Sequence, residues 1–183
     1  MSSKPLMGWG NTSIFICRDK SIFDTQKVSA QLSDSLKIDF YKHSREWPYK
    51  NVKPRIIVEE LLEDSKNNDL PDYKFLCFDG VPELLFIATG CQENPEPYFN
   101  FYDMFGNELE LMQGHPRNPI APELPINFEL MKELSSKISS GYPHMRVDFY
   151  EVNGQVFIGE LTFFHSPVFV LSILNHGTNI LEI

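Results

Sequence analysis

Between His144 and Phe164, apolar and polar residues alternate on both sides of Asn153-Gly154, and this pattern restricts the possible folds more than any other stretch. It calls for two antiparallel strands and a sheet with unlike faces. A two-residue Asn-Gly loop would put Asp148 and Glu160 on opposite faces. An odd loop, with Gly154 left-handed in a bulge, puts Arg146, Asp148 and Tyr150 on the face of Ile158, Glu160 and Thr162. Val147, Phe149, Phe157, Leu161 and Phe163 then form the other face. The odd loop separates polar from apolar almost completely, so we expect that register. Two carboxylates and an arginine would share one face, an arrangement that suits either a hard cation such as Mg²⁺ or plain solvent.

Other elements follow from local signals. Thr12 to Cys17 reads as a short strand after the glycine-bearing stretch Gly8-Trp9-Gly10-Asn11. Asp24 can cap a helix from Thr25 to Phe40, in which Val28, Leu32 and Leu36 recur every four residues. Arg55 to Leu62 reads as a buried strand running into a polar loop from Asp64 to Pro71. Tyr73 to Phe78 and Glu83 to Ala88 are strands joined by the hairpin signal Asp79-Gly80, and Tyr98 to Tyr102 is a further aromatic strand. Four prolines between Gly114 and Pro125 force an extended surface loop. Asn127 can cap a helix with Leu130, Met131, Leu134 and Ile138 on one apolar face, ending near Gly141.

Composition narrows the function classes. Fifteen Phe, seven Tyr and two Trp among 183 residues supply a full core. A net charge of −9 argues against generic binding to nucleic acid or anionic lipid. The apolar runs are too short to span a membrane, and three scattered cysteines, Cys17, Cys77 and Cys91, suit a reducing cytoplasm. The five histidines lack metal-ligand spacing, and the serine-hydrolase, zincin and P-loop motifs are absent.

Several stretches in order carry a resemblance: Ile56-Ile57-Val58-Glu59-Glu60-Leu61-Leu62, Asp72-Tyr73-Lys74-Phe75, Arg146-Val147-Asp148-Phe149-Tyr150 and Gly159-Glu160-Leu161-Thr162-Phe163. Arg45 to Arg55 and Gln113-Gly114-His115-Pro116 support them. Together they resemble the ATP-grasp superfamily, and within it the TupA-like branch named for bacterial teichuronopeptide biosynthesis. The resemblance implies an α+β ATP-grasp fold of two lobes with antiparallel sheets, N-terminally incomplete. Residues 1–7 would be a poorly ordered N-terminus, 8–62 the smaller lobe with its hinge, and 63–183 the larger lobe.

It also implies an ATP-dependent carboxylate-amine ligase that forms an amide through an acylphosphate, in bacterial surface-polymer synthesis. The partners would be ATP and unidentified carboxylate and amine substrates, with no nucleic acid and no membrane insertion; a complementing partner chain is left open. By the same resemblance Glu60, Leu61 and Leu62 form the hinge whose backbone meets adenine, and Asp72 accepts from the ribose hydroxyls. Lys74 is the basic residue near the phosphates, Arg146 adds positive charge there, and Asp148 and Glu160 bind Mg²⁺. The family's phosphate-binding lysine strand is missing ahead of the glycine-bearing loop, with Lys4 the nearest substitute. Cys91 stands where related sequences tend to have arginine, and Thr162 where many ATP-grasp enzymes have a metal-binding Asn. A surface-polysaccharide glycosyltransferase is an alternative that lacks its usual Asp-x-Asp motif, and a catalytically inactive nucleotide-binding or scaffold remnant is another.

Overall fold

The computed structural model describes residues 2–5, 14–39, 41–42, 50–63, 70–91, 96–163 and 172–173. The chain divides into two compact units, Met1–Leu62 and Glu63–Ile183. Gly8 to Ser13, Arg45 to Tyr49, most of the loop expected from Asp64 to Pro71, and Phe164 with His165 lie outside the described residues.

The first unit has a three-stranded antiparallel sheet, ordered β2-β1-β3, made of β1 (Ser2–Pro5), β2 (Phe15–Ile16) and β3 (Ile56–Glu59). Of the expected N-terminal segment 1–7, the described residues are those of β1, which has partners on both sides. The strand expected from Arg55 to Leu62 is shorter and less buried. Its ladder with β1 runs from Pro5 opposite Ile56 to Ser2 opposite Glu59, and there the partner strand ends. Val58 is 56% exposed, and Glu60, Leu61 and Leu62 follow the strand instead of belonging to it.

Helix α1 (Thr25–Ser35) starts where its cap predicts, with Asp24 Oδ1 accepting from the Lys27 amide at 2.9 Å. It stops well short of Phe40. The Lys37 and Ile38 amides bond three residues back, to Asp34 and Ser35, so the last turn tightens and the α-helical ladder ends.

The second unit is built on a six-stranded antiparallel sheet with the order β10-β9-β4-β5-β6-β7. Its strands are β4 (Asp72–Phe78), β5 (Val81–Thr89), β6 (Tyr98–Tyr102), β7 (Glu108–Leu109), β9 (His144–Val152) and β10 (Gln155–Thr162). A small pair, β8 (Leu111–Met112) with β11 (Ser172–Ile173), lies beside it in the chain order. Asp79 and Gly80 both have positive φ, +48° and +81°, the conformation a two-residue hairpin loop needs.

Helix α2 (Phe128–Ser139) covers one face of this sheet. Phe128 and Met131 pack against Phe75, Leu85, Ile87, Val147 and Phe149. Leu130, expected on that face, is 45% exposed. The buried stripe runs through Phe128, Met131, Ser135 and Ser139, a helical spacing that turns Leu130 outward. Asn127 precedes the helix, yet its side chain does not cap it. The Glu151 carboxylate, from β9, accepts from the Ile126 and Asn127 amides at 2.8 and 3.0 Å, setting a negative charge at the positive end of the helix.

The last hairpin corrects its own expectation. Asn153 and Gly154 both have positive φ and close a two-residue loop, with Val152 opposite Gln155. Phe157 therefore pairs with Tyr150 and Ile158 with Phe149, the reverse of the predicted faces. Gly159 then enters as a bulge, and from there Glu160 pairs with Asp148 and Thr162 with Arg146. The carboxylates share a face as expected, through a bulge five residues past the loop. A Cβ on Gly159 would lie 2.7 Å from Cε2 of Tyr150, so the ring's position requires glycine there.

Candidate functional site

The sheet face away from α2 can be followed strand by strand. One row of paired residues runs Glu160, Asp148, Lys74, Phe86, Phe101, Leu109 across all six strands. Its β5-β6 half is apolar, where Phe86 and Phe101 pack with Leu76 and Leu111. Its β10-β9-β4 half is charged.

The charges alternate in sign. Glu160 Oε2 lies 3.6 Å from Arg146 Nη2, and Arg146 grips Asp148 with two bonds, Nε to Oδ1 at 2.7 Å and Nη2 to Oδ2 at 2.8 Å. Lys74 Nζ reaches Asp148 Oδ2 at 2.6 Å and Asp72 Oδ2 at 2.5 Å. The Tyr150 hydroxyl donates to Asp72 at 3.3 Å. Asp148 is 1% exposed, whereas the Glu160 side chain is 59% exposed, so the ladder runs from the interior to the surface.

Strand alternation explains the grouping. Arg146, Asp148 and Tyr150 are every second residue of β9, Asp72 and Lys74 every second residue of β4, and the two strands pair with Lys74 opposite Asp148. Burial alone would push Lys74 down and Asp72 up. For Lys74 the two carboxylates outweigh burial, and its ammonium is held above the ordinary range. Arg146 behaves the same way beside Asp148. For Asp72 burial wins, with Asp148 adding to it against Lys74, and its carboxyl is raised. The Tyr150 phenol is pushed up by burial and by Asp72 and Asp148, with Cys91 adding to the effect. Two permanent cations and three carboxylates thus form a face with donors for anionic oxygen and acceptors for hydroxyl groups.

Two buried polar atoms on this face, Asp72 Oδ1 and Thr162 Oγ1, have no hydrogen-bond partner among the described residues. Each could bond a ligand group. Among the described residues no group of three or more His, Cys, Asp or Glu is arranged to hold a metal. The pair Asp148 and Glu160 nonetheless fits Mg²⁺ by donor type, since that ion is commonly held by one or two carboxylates with phosphates and water completing its shell.

The structure thus brings together five of the residues singled out in the sequence: Asp72, Lys74, Arg146, Asp148 and Glu160. Glu60, Leu61 and Leu62 belong to the other unit. Tyr150 is the addition, and its signal was the alternation with Arg146 and Asp148. A second polar cluster lay outside the sequence reading. Asn100, fully buried, donates to Glu108 Oε1 at 2.7 Å and to the Asn118 carbonyl at 3.2 Å, and accepts from the Asn118 amide at 3.0 Å. Arg117 also reaches Glu108 at 2.7 Å, so this knot ties the proline-rich loop to the sheet.

A family model described as TupA-like ATPgrasp matches residues 4–174. No curated protein and no solved structure matches the chain. Among the described residues no helix is long and apolar enough to cross a membrane.

Proposed function

Because this chain belongs to the TupA-like ATP-grasp family, with its α+β fold, we propose that it is an ATP-dependent carboxylate-amine ligase acting in the cytoplasm on bacterial cell-surface polysaccharide or peptide polymers. The observation that carries this reading is the alternating ladder from Glu160 to Asp72, which lies on one sheet face of a chain that the family model matches over nearly its whole length.

Transfer of a γ-phosphoryl group to a carboxylate demands positioning and charge neutralisation more than covalent help. In this reading Lys74 and Arg146 supply fixed positive charge to the phosphates, and both are held in the protonated state by their carboxylate neighbours. The unpartnered Asp72 Oδ1 accepts a ribose hydroxyl. Asp148 and Glu160 would hold Mg²⁺, which when bound neutralises phosphate charge. ADP leaves as the acylphosphate forms on the donor, and attack by the amine then makes the amide bond while inorganic phosphate and a proton depart.

Thermal unfolding with and without Mg-ATP tests the reading, because a ligand of the native state raises stability. The Glu160→Gln variant is the right control, since its exposed side chain can change without unfolding the sheet. We expect a magnesium-dependent rise in the wild type that the variant loses. No rise in the wild type would sink the nucleotide site, and a rise without ADP formation on any carboxylate and amine pair would mark a binding protein that has lost turnover.

A further inference from the structure

Asp148 has little room for a metal ion as the ladder stands. Its two oxygens accept three bonds, from Arg146 Nε, Arg146 Nη2 and Lys74 Nζ, at 2.7, 2.8 and 2.6 Å. An ionised carboxylate offers roughly four lone-pair sites, so most are taken, and all three donors are cationic. The same guanidinium reaches toward Glu160, with Nη2 3.6 Å from Oε2, and so stands between the two carboxylates a shared ion would use. Mg²⁺ needs oxygen at about 2.0–2.1 Å in near-octahedral array. An ion that close to Asp148 would face two fixed positive charges where water screens poorly.

Charge balance points the same way. Asp72, Asp148 and Glu160 against Lys74 and Arg146 leave one net negative charge when all are ionised. A bare divalent ion would overshoot that balance. A polyphosphate arriving with it would not, and its oxygens offer the two cations new partners.

We propose that Arg146 and Lys74 form a cation lock on Asp148, so that the site takes up a divalent metal only together with a polyphosphate, which draws the two side chains away. This rests on the reading of the face as a nucleotide site and adds to it an obligatory order of binding. The lock keeps the carboxylates neutralised between turnovers and prevents capture of a metal with no nucleotide attached.

Mn²⁺ replaces Mg²⁺ in the test, because its electron paramagnetic resonance signal reports the unbound ion directly. The full chain is titrated with Mn²⁺ alone as wild type, Arg146→Met and Lys74→Met. The same proteins are then followed by thermal unfolding with Mn²⁺, with and without adenylyl imidodiphosphate. We expect wild type to leave Mn²⁺ in solution when nucleotide is absent. The variants should bind the bare ion at least about tenfold more tightly, a difference well within the range of such titrations. Their unfolding temperatures should rise with Mn²⁺ alone, whereas wild type should respond only to Mn²⁺ with the nucleotide analogue.

Wild type that binds bare Mn²⁺ as tightly as the variants would overturn the lock while leaving the nucleotide site standing. So would folded variants that gain no affinity. If both variants fail to fold, the wild-type titration decides alone: uptake of bare Mn²⁺ rejects the lock and its absence supports it. No stabilisation of wild type by Mn²⁺ with the analogue would overturn the nucleotide reading itself, and the order of binding with it.

Discussion

Asn100 and Asp148 are each almost wholly removed from water, on strands of the same sheet, yet their surroundings close in opposite ways. Asn100 bonds both backbone groups of Asn118 besides the Glu108 carboxylate, so its knot is anchored on main chain. The bonds that join the charges around Asp148 run from side chain to side chain. Backbone partners cannot leave without moving a strand or loop, whereas a lysine or arginine can swing to a new anion. The first arrangement holds a loop in place, and the second can be rebuilt around a ligand. Both ends of the Asn100 amide are satisfied, although Arg117 Nε in its knot, like Asp72 Oδ1 and Thr162 Oγ1 beside the ladder, has no partner among the described residues.

That contrast can be broken experimentally. Asp148→Leu should have the largest effect, because it leaves two buried cations without their shared anion, and breaking such an array costs about 3–5 kcal/mol. Urea unfolding would measure it; a loss below about 1 kcal/mol, the level of exposed pairs, would mean the ladder is effectively solvated. Asn100→Ala should come next, since it strips bonds from Glu108 and Asn118, each worth about 1–3 kcal/mol when left unmade. It should leave nucleotide binding intact in the protein that remains folded. Loss of binding there would merge the two clusters into one functional unit.

Gly159→Ala should cost about 1 kcal/mol, at the low end for overpacking, because the Tyr150 ring can yield. Its sharper sign is a displaced Tyr150 ring and a weakened Tyr150 to Asp72 bond, visible in the near-ultraviolet difference spectrum of the folded protein. The smallest effect concerns acid. Burial alone would raise the Glu108 pKa, but bonds from Arg117 and Asn100 outweigh it and hold the carboxyl below its ordinary value. A depressed carboxyl contributes stability above its unfolded pKa of about 4.3–4.5 and loses it as pH falls through the folded value. Glu108→Gln should therefore flatten the decline in unfolding free energy below that point. An unchanged slope would show that the knot draws nothing from its charges.

Local signals reached most of the second unit. The Asp79-Gly80 turn, the aromatic strand from Tyr98 to Tyr102, the Pro-rich loop and the Asn153-Gly154 turn are each specified by a few adjacent residues whose conformational limits are steric. The ends of α1 and β3 were less legible. One depended on a switch to three-residue bonds near Asp34, the other on where a partner strand far away in sequence runs out. The Asn100 knot gave no signal, because an asparagine in an aromatic strand looks like an exposed polar position until its partners on a distant loop are known.

For the site, the amino-acid order by itself determined that Arg146, Asp148 and Tyr150 share one face and that Asp72 and Lys74 share another, because a strand's side chains alternate whatever it pairs with. It determined family membership as well, through short motifs in a specific order. Only the tertiary structure decided that those two faces are one face, since Lys74 and Asp148 are 74 residues apart and meet through pairing alone. The side on which Glu160 falls was likewise decided there. The tight Asn-Gly loop would have turned it away, and the bulge at Gly159, seated against the Tyr150 ring, turns it back. A one-residue shift reverses every side chain beyond it, so register depends on packing across the sheet and not on the residues that alternate within a strand.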